Sequence, residues 1–204
     1  MDSRLLLLVL FFLLLFCSCA NAQSDTKTQS NMIEPPQILA FEKYIGTKEI
    51  GNNAGFSNRE FEKGLKSVGW RKGQPYCAYA VSFILNIVKA TYPQIRSGLA
   101  RAFITKKSIL AKDVAKGYKQ VPAGWLVIWR NGNTYKGHIG IVKSWKGNAG
   151  ITIEANTSEL AGSQRDGDGV WQKQRKIVDH SQFRIDYFTK VEISGIDSLS
   201  FRMK

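Results

Sequence analysis

The hydrophobic pattern of this chain changes period once, near residue 125, and that change limits the folds it can adopt. Before it, apolar residues recur at helical spacing; after it, they alternate. Ile38, Phe41 and Ile45 fall at helical intervals in QILAFEKYIG, which predicts a short helix over residues 37–46 ending on glycine. Ser57 and Glu60 form an S-x-x-E capping box ahead of Phe61, Leu65 and Val68, and Gly69 follows the last periodic residue, so a second helix is expected there. Gly73-Gln74-Pro75 breaks the chain. CAYAVSFILNIVKATY, residues 77–92, is then apolar on nearly every side, the pattern of a helix buried in a core. A weaker helix is expected from about Thr105 to Lys116, ending at Gly117. From Trp125 onward, alternation predicts strands at 125–130, 137–145, 150–156, 169–177 and 183–193. Turn formers such as Asn131-Gly132-Asn133 and Lys146-Gly147-Asn148 separate them. N-terminal helices packed on a C-terminal antiparallel sheet describe an α+β domain.

The first residues carry a different signal. Arg4 precedes an apolar run from Leu5 to Phe16, followed by the small-x-small pattern Ala20-Asn21-Ala22. This predicts a secretory signal peptide over residues 1–22, cleaved after Ala22. The apolar run falls short of the roughly 20 residues that span a bilayer. Lipid attachment at Cys17 or Cys19 is the rival reading, although neither cysteine follows a Leu-small-small triplet. Residues 23–36 are rich in Ser, Thr, Gln and Asp and read as a flexible leader, leaving one domain over residues 37–204. The expectation is a protein exported to the periplasm, the exterior or the cell wall, with no stable membrane insertion after cleavage.

The formal charge is +13, and Asp2 and Arg4 cancel, so signal removal leaves it unchanged. Such a surface favours anionic partners. Export points to an anionic cell-wall polymer rather than to nucleic acid, for which no recognisable binding motif or one-sided Lys/Arg helix is present. A merely well-solvated basic surface is the alternative.

Cys17 and Cys19 leave with the signal peptide, so Cys77 is the only thiol of the mature chain and has no intramolecular disulfide partner. One reading makes it a small buried hydrophobe. The other rests on its place at the start of the apolar helix, where the helix dipole favours the reactive thiolate and unpaired N–H groups can hold an oxyanion. A nucleophilic thiol needs a base, and the chain offers His138 and His180. His138 opens a strand in Gly137-His138-Ile139-Gly140-Ile141-Val142, with glycines leaving space beside the ring; its bland reading is an ordinary strand histidine. His180 follows Asp179 in a polar stretch and reads as a surface residue. Glu154 and Asn156 lie two positions apart on the next strand, on the face opposite Ile151 and Ile153. If Lys146 to Gly150 makes a tight hairpin, His138 falls near both, and either could orient the imidazole. The alternative is a solvated strand face.

With these residues assembled, the chain resembles the CHAP amidase and peptidase domain of the papain-like NlpC/P60 superfamily. Gly73-Gln74-Pro75-Tyr76-Cys77-Ala78-Tyr79-Ala80-Val81-Ser82 is similar to the nucleophile motif, Gly137 to Val142 to the histidine motif, and Ile153-Glu154-Ala155-Asn156-Thr157 to the third-residue motif, in order and at fitting spacing. Asp168-Gly169-Val170-Trp171 followed by Arg175 resembles the strand that often comes next, and Gly51-Asn52-Asn53 the approach to the first motif. The likeness covers about residues 37–192. It implies a papain-like fold with the nucleophile at the N-terminus of the central helix. It also implies a hydrolase of peptidoglycan amide bonds, an N-acetylmuramoyl-L-alanine amidase or a peptide endopeptidase working through a thioester. Cys77 would be the nucleophile, His138 the base, Glu154 the orienting residue and Asn156 a polar helper or its substitute.

Some members of that family bind calcium ahead of the cysteine, but here Gly69-Trp70-Arg71-Lys72-Gly73 places basic residues there, so no metal and no cofactor is expected. Asp166-Gly167-Asp168-Gly169 lacks the other ligands of an EF-hand loop and reads as a turn entering a strand. Gln74 and Tyr76 flank the nucleophile and are candidates for substrate binding or oxyanion donation, with a purely structural role as the alternative reading. Most of Trp70, Trp125, Trp129, Trp145 and Trp171 are expected in the core, with one or two left to stack on sugar rings. Two other readings stand beside the wall hydrolase: a catalytically silent wall-binding module, against which the intact Cys77, His138 and Glu154 argue, and a cysteine amidase acting on a non-wall substrate.

Overall fold

The structure is a computed structural model, and it describes residues 34–159, 167–178 and 183–195. The predicted signal peptide, the leader up to Ile33, Asp166 and His180 lie outside the described residues. Helix α1 (Pro36–Glu42) opens the domain with a proline in its first turn, where a missing N–H costs nothing. It ends short of the expected Gly46, because residues 43–46 form tight turns and the Gly46 N–H is drawn to the carbonyl of Val170, 2.9 Å away. A two-stranded ribbon follows, β1 (Glu49–Ile50) with β2 (Gly55–Phe56), and then helix α2 (Arg59–Ser67).

The expected capping box is replaced by a different arrangement. Asn58 caps α2 by accepting from the Phe61 N–H at 3.0 Å, while Ser57 Oγ accepts from the Lys48 N–H at 2.9 Å. Glu60 accepts from the Tyr44 hydroxyl at 3.1 Å. A tertiary contact thus recruits both box residues, and the neighbouring asparagine takes over the cap.

Helix α3 (Cys77–Ile87) is the buried helix of the sequence pattern, but it stops well before residue 92. Lys89 adopts a left-handed φ of 51°, and Ala90–Tyr92 leaves as strand β3. After a 3₁₀ turn at Ala100–Phe103, the segment expected to be helical over 105–116 divides into strand β4 (Ser108–Leu110) and a short helix α4 (Ala111–Ala115). Strands β5 (Leu126–Asn131), β6 (Gly137–Lys146), β7 (Ala149–Thr157), β8 (Gly169–Lys176) and β9 (Phe183–Thr189) follow, close to the alternating pattern. The last expected strand breaks after Thr189, and β10 (Glu192–Ile193) turns away to pair with β3.

The main sheet is six-stranded and antiparallel, in the order β4-β9-β5-β6-β7-β8. Its alternation fills two cores. Leu126, Ile128, Ile139, Ile141, Ile153 and Ala155 join the helical residues of α1, α2 and α3 on one side. Val127, Trp129, Val142, Ile185 and Phe188 pack with Ala111 and Val114 of α4 on the other. The domain is therefore an α+β fold whose sheet is covered on both faces. Phe61 sits fully buried among Tyr44, Phe56, Tyr76 and Phe83, with ring centroids 5.2–6.3 Å away, and this aromatic cluster supports the start of α3. Gly64 lets α2 approach that far, since a Cβ there would lie 2.1 Å from the Phe83 ring. Among the described residues, no helix is long and apolar enough to cross a membrane.

Candidate active site

Cys77 is the first residue of α3, and no side chain caps that helix end. The unpaired N–H groups of the first turn and the positive end of the helix dipole are therefore gathered around the thiol. Its side chain is nearly buried, at 6 % exposure, and it forms part of the wall of a cleft of about 600 Å³. Gln74, His138 and Asn156 line the same cleft.

The placement of His138 follows from strand register. Lys146 pairs with Ala149 across a two-residue Gly147-Asn148 turn, in which Gly147 takes a φ of 57°, so β6 and β7 meet the condition of a tight hairpin. A register shift between Val142 and Ser144 follows, and Gly140 then stands opposite Glu154. Glu154 is thus the diagonal neighbour of His138, within reach of a long side chain. Gly140 keeps the path open, because a Cβ there would lie 2.7 Å from Glu154 Cγ. The outcome is a hydrogen bond of 2.8 Å between His138 Nε2 and Glu154 Oε2. Both groups are buried, at 1 % and 0 % exposure.

A buried carboxylate needs several donors to stay ionised. Glu154 has them: the Thr152 hydroxyl donates to Oε1 at 2.5 Å, Arg175 Nε to Oε1 at 2.7 Å and Arg175 Nη2 to Oε2 at 2.6 Å. Burial alone would raise its pKa; the bonds and charges of Arg175 and His138 outweigh burial and hold it down at about 2. His138 responds in the complementary sense. Burial pulls its pKa down, but hydrogen bonding to Cys77 and Glu154, with the charges of both, raises it from 6.5 to about 9. With Nε2 taken by Glu154, Nδ1 is the ring nitrogen left for Cys77. The cluster favours an imidazolium bonded to an ionised Glu154 carboxylate.

The other sequence candidates divide. Asn156 lines the cleft with a left-handed φ of 58°, beside a bulge between Ala155 and Thr157. The imidazole partner among the two β7 candidates is Glu154. Gln74 also lines the cleft; its Oε1 accepts from the Arg71 N–H at 2.9 Å, which leaves Nε2 as a donor. Tyr76 does not line it. Its ring is wholly buried, 4.6 Å from the Phe56 ring centroid, and its hydroxyl has no hydrogen-bond partner of ordinary geometry. Burial, foremost, raises its pKa well above the usual tyrosine range, while the Asn156 N–H lies near enough to oppose that slightly. None of the five tryptophans lines the cleft; its aromatic residues are Tyr79, Tyr135 and Phe183. Asp168 is engaged by the Trp171 indole N–H at 2.6 Å and the Glu159 N–H at 3.2 Å.

Three residues of the cluster were not among the sequence candidates for the site: Thr152, Arg175 and Trp129. Trp129 pairs with His138 across the β5–β6 ladder, their ring centroids 5.1 Å apart, and the Arg175 guanidinium lies 5.7 Å from the indole centroid. Alternation carried a signal for two of them. Thr152 shares the face of Glu154, and Arg175 shares the face of Trp171, which stands opposite Glu154. Compared with known proteins, the chain matches no family model, no curated protein and no solved structure.

Proposed function

We propose that this protein is a cysteine hydrolase of amide bonds in cell-wall peptidoglycan, with the papain-like architecture and CHAP-type site its motifs resemble. The observation that carries the reading is the convergence, on one cleft, of a thiol at an uncapped helix start and a histidine bonded to a buried carboxylate. Charge adds to it: the chain carries +13, and Lys136 brings a cation to the cleft wall.

The chemistry follows from the positions. The Cys77 thiolate attacks the amide carbonyl carbon, and the oxyanion is received by the Cys77 N–H and by Gln74 Nε2. Collapse of the tetrahedral species breaks the C–N bond; the His138 imidazolium gives its proton to the departing amine, leaving a thioester on Cys77. Neutral His138 then takes a proton from water, whose oxygen attacks the thioester and releases a carboxylic acid and the thiol. Glu154 keeps the ring oriented and stabilises its charged form throughout.

The test is to digest purified peptidoglycan of several wall types and identify the products by mass spectrometry. The proposal expects fragments gaining one water per cut, each cut exposing one new amine and one new carboxyl. Walls recovered intact in every case would overturn the wall assignment.

A further inference from the structure

Glu154 is the link between the base and the rest of the fold, and its geometry raises a question the three motif residues leave open. A glutamate side chain has three rotatable bonds, and a hydrogen bond to one imidazole nitrogen does not fix its carboxylate plane. Arg175 supplies what is missing. From β8, opposite Gly150, its guanidinium comes back along the sheet to Glu154, placing Nε 2.7 Å from Oε1 and Nη2 2.6 Å from Oε2. Two parallel bonds from a planar fork define the plane of the carboxylate as well as its position. Nη2 also donates to Thr157 Oγ1 at 3.2 Å, and the guanidinium lies over the Trp129 ring, whose other neighbour is His138. The same cation thus braces the carboxylate on one edge of the imidazole and the indole beside it.

We propose that Arg175 is a positioning residue of the site, holding Glu154 in the plane that directs His138 toward Cys77. It does not touch the reacting atoms; it acts through Glu154 and Trp129. The rate prediction rests on the hydrolase reading above, whereas the geometric claim does not. The charged and titratable groups facing His138 are Cys77 from α3 and Glu154 from β7, with Lys136 beside it on the cleft wall and Arg175 behind Glu154. Beside the imidazolium itself, Arg175 is a second cation in contact with the carboxylate, so its removal strengthens the pull of Glu154 on the imidazolium.

The experiment compares the full-length protein with Arg175→Met and Arg175→Lys by three readouts: circular dichroism for the fold, an NMR titration of the His138 ring, and turnover of solubilised peptidoglycan. In a folded Arg175→Met protein, the His138 midpoint moves upward and kcat falls on the order of 100-fold with KM little changed, as expected for a displaced catalytic group. Arg175→Lys keeps the charge but loses the fork, so the midpoint stays near native while kcat remains depressed. If Arg175→Met does not fold, Thr157→Val, which removes one tether of the guanidinium, must still lower kcat without changing KM.

A native midpoint and native kcat in folded Arg175→Met would overturn the proposal, as would full recovery of kcat in Arg175→Lys or native kinetics in Thr157→Val. Failure of the hydrolase reading is distinguishable. In that case the wild type turns over nothing, and the upward movement of the His138 midpoint alone decides whether Arg175 governs the pair.

Discussion

His138 and Glu154 place two opposite charges on nearly fully buried side chains, and the consequences can be read in pH. Raised from 6.5 to about 9, His138 contributes stability that is complete below pH 6.5 and is lost as pH rises through 9. Glu154, lowered from 4.5 to about 2, contributes stability that is complete above pH 4.5 and is lost as pH falls toward 2. Urea midpoints measured across pH should therefore fall at both ends, and Glu154→Gln should flatten the alkaline decline; an unchanged alkaline decline in that variant would show that the pair is not its source. Turnover should follow the same group. If the His138 imidazolium protonates the leaving amine as proposed, its pKa of about 9 means that kcat should drop above that pH. Glu154→Gln should move this limb to lower pH and slow turnover on the order of 100- to 10,000-fold. Cys77, His138 and Glu154 were legible because a thiol at a helix start and polar residues on alternating strands leave signatures in sequence. Arg175 was less so, since its fork meets Glu154 through a ladder whose register only the folded sheet reveals. Tyr76 could be read either as a cleft residue or as a structural one, because adjacency to Cys77 along the chain says nothing about which way a ring turns; here it turns into the aromatic cluster.

Two elements carry the precision of the site, the start of α3 and the β6–β7 hairpin. The hairpin depends on Gly140, where a Cβ would meet Glu154 Cγ at 2.7 Å. Gly140→Ala, whose Cβ would also meet the Ile153 carbonyl oxygen at 2.8 Å, should shift the β6–β7 ladder together with the carboxylate and reduce kcat on the order of 100-fold while circular dichroism still shows a folded protein; native kcat would mean that this close approach does not matter. The start of α3 rests on Phe61 and its neighbours, and Phe61→Ala should cost about 3–5 kcal/mol in urea unfolding, as for other large buried rings. A cost within about 0.5 kcal/mol, the scale of a surface change, would contradict that role. Element types were mostly legible from periodicity, while several ends were not. The helix read to residue 92 stops at Ile87 because Ala90–Tyr92 pairs with Glu192–Ile193, about 100 residues away. Residues 108–110 likewise become a strand by pairing with β9. In both cases long-range pairing overrides local pattern, which a window of neighbouring residues cannot register.

At the scale of the whole molecule, an antiparallel sheet covered on both faces presents a cleft lined by the thiol, the histidine and Lys136, on a chain carrying +13. Charge of that size acts at long range and is screened by salt. Co-sedimentation with purified peptidoglycan should therefore weaken as ionic strength rises above about 0.15 M, and binding indifferent to salt would remove charge from the account of partner choice. The central claim is narrower: the Cys77 sulfur breaks amide bonds of the wall. The most direct test counts new amino groups released from purified peptidoglycan by the wild-type protein and by Cys77→Ala, side by side. The account predicts steady release by the wild type and none above background by Cys77→Ala, while equal release by the two proteins, or none by either, would contradict it.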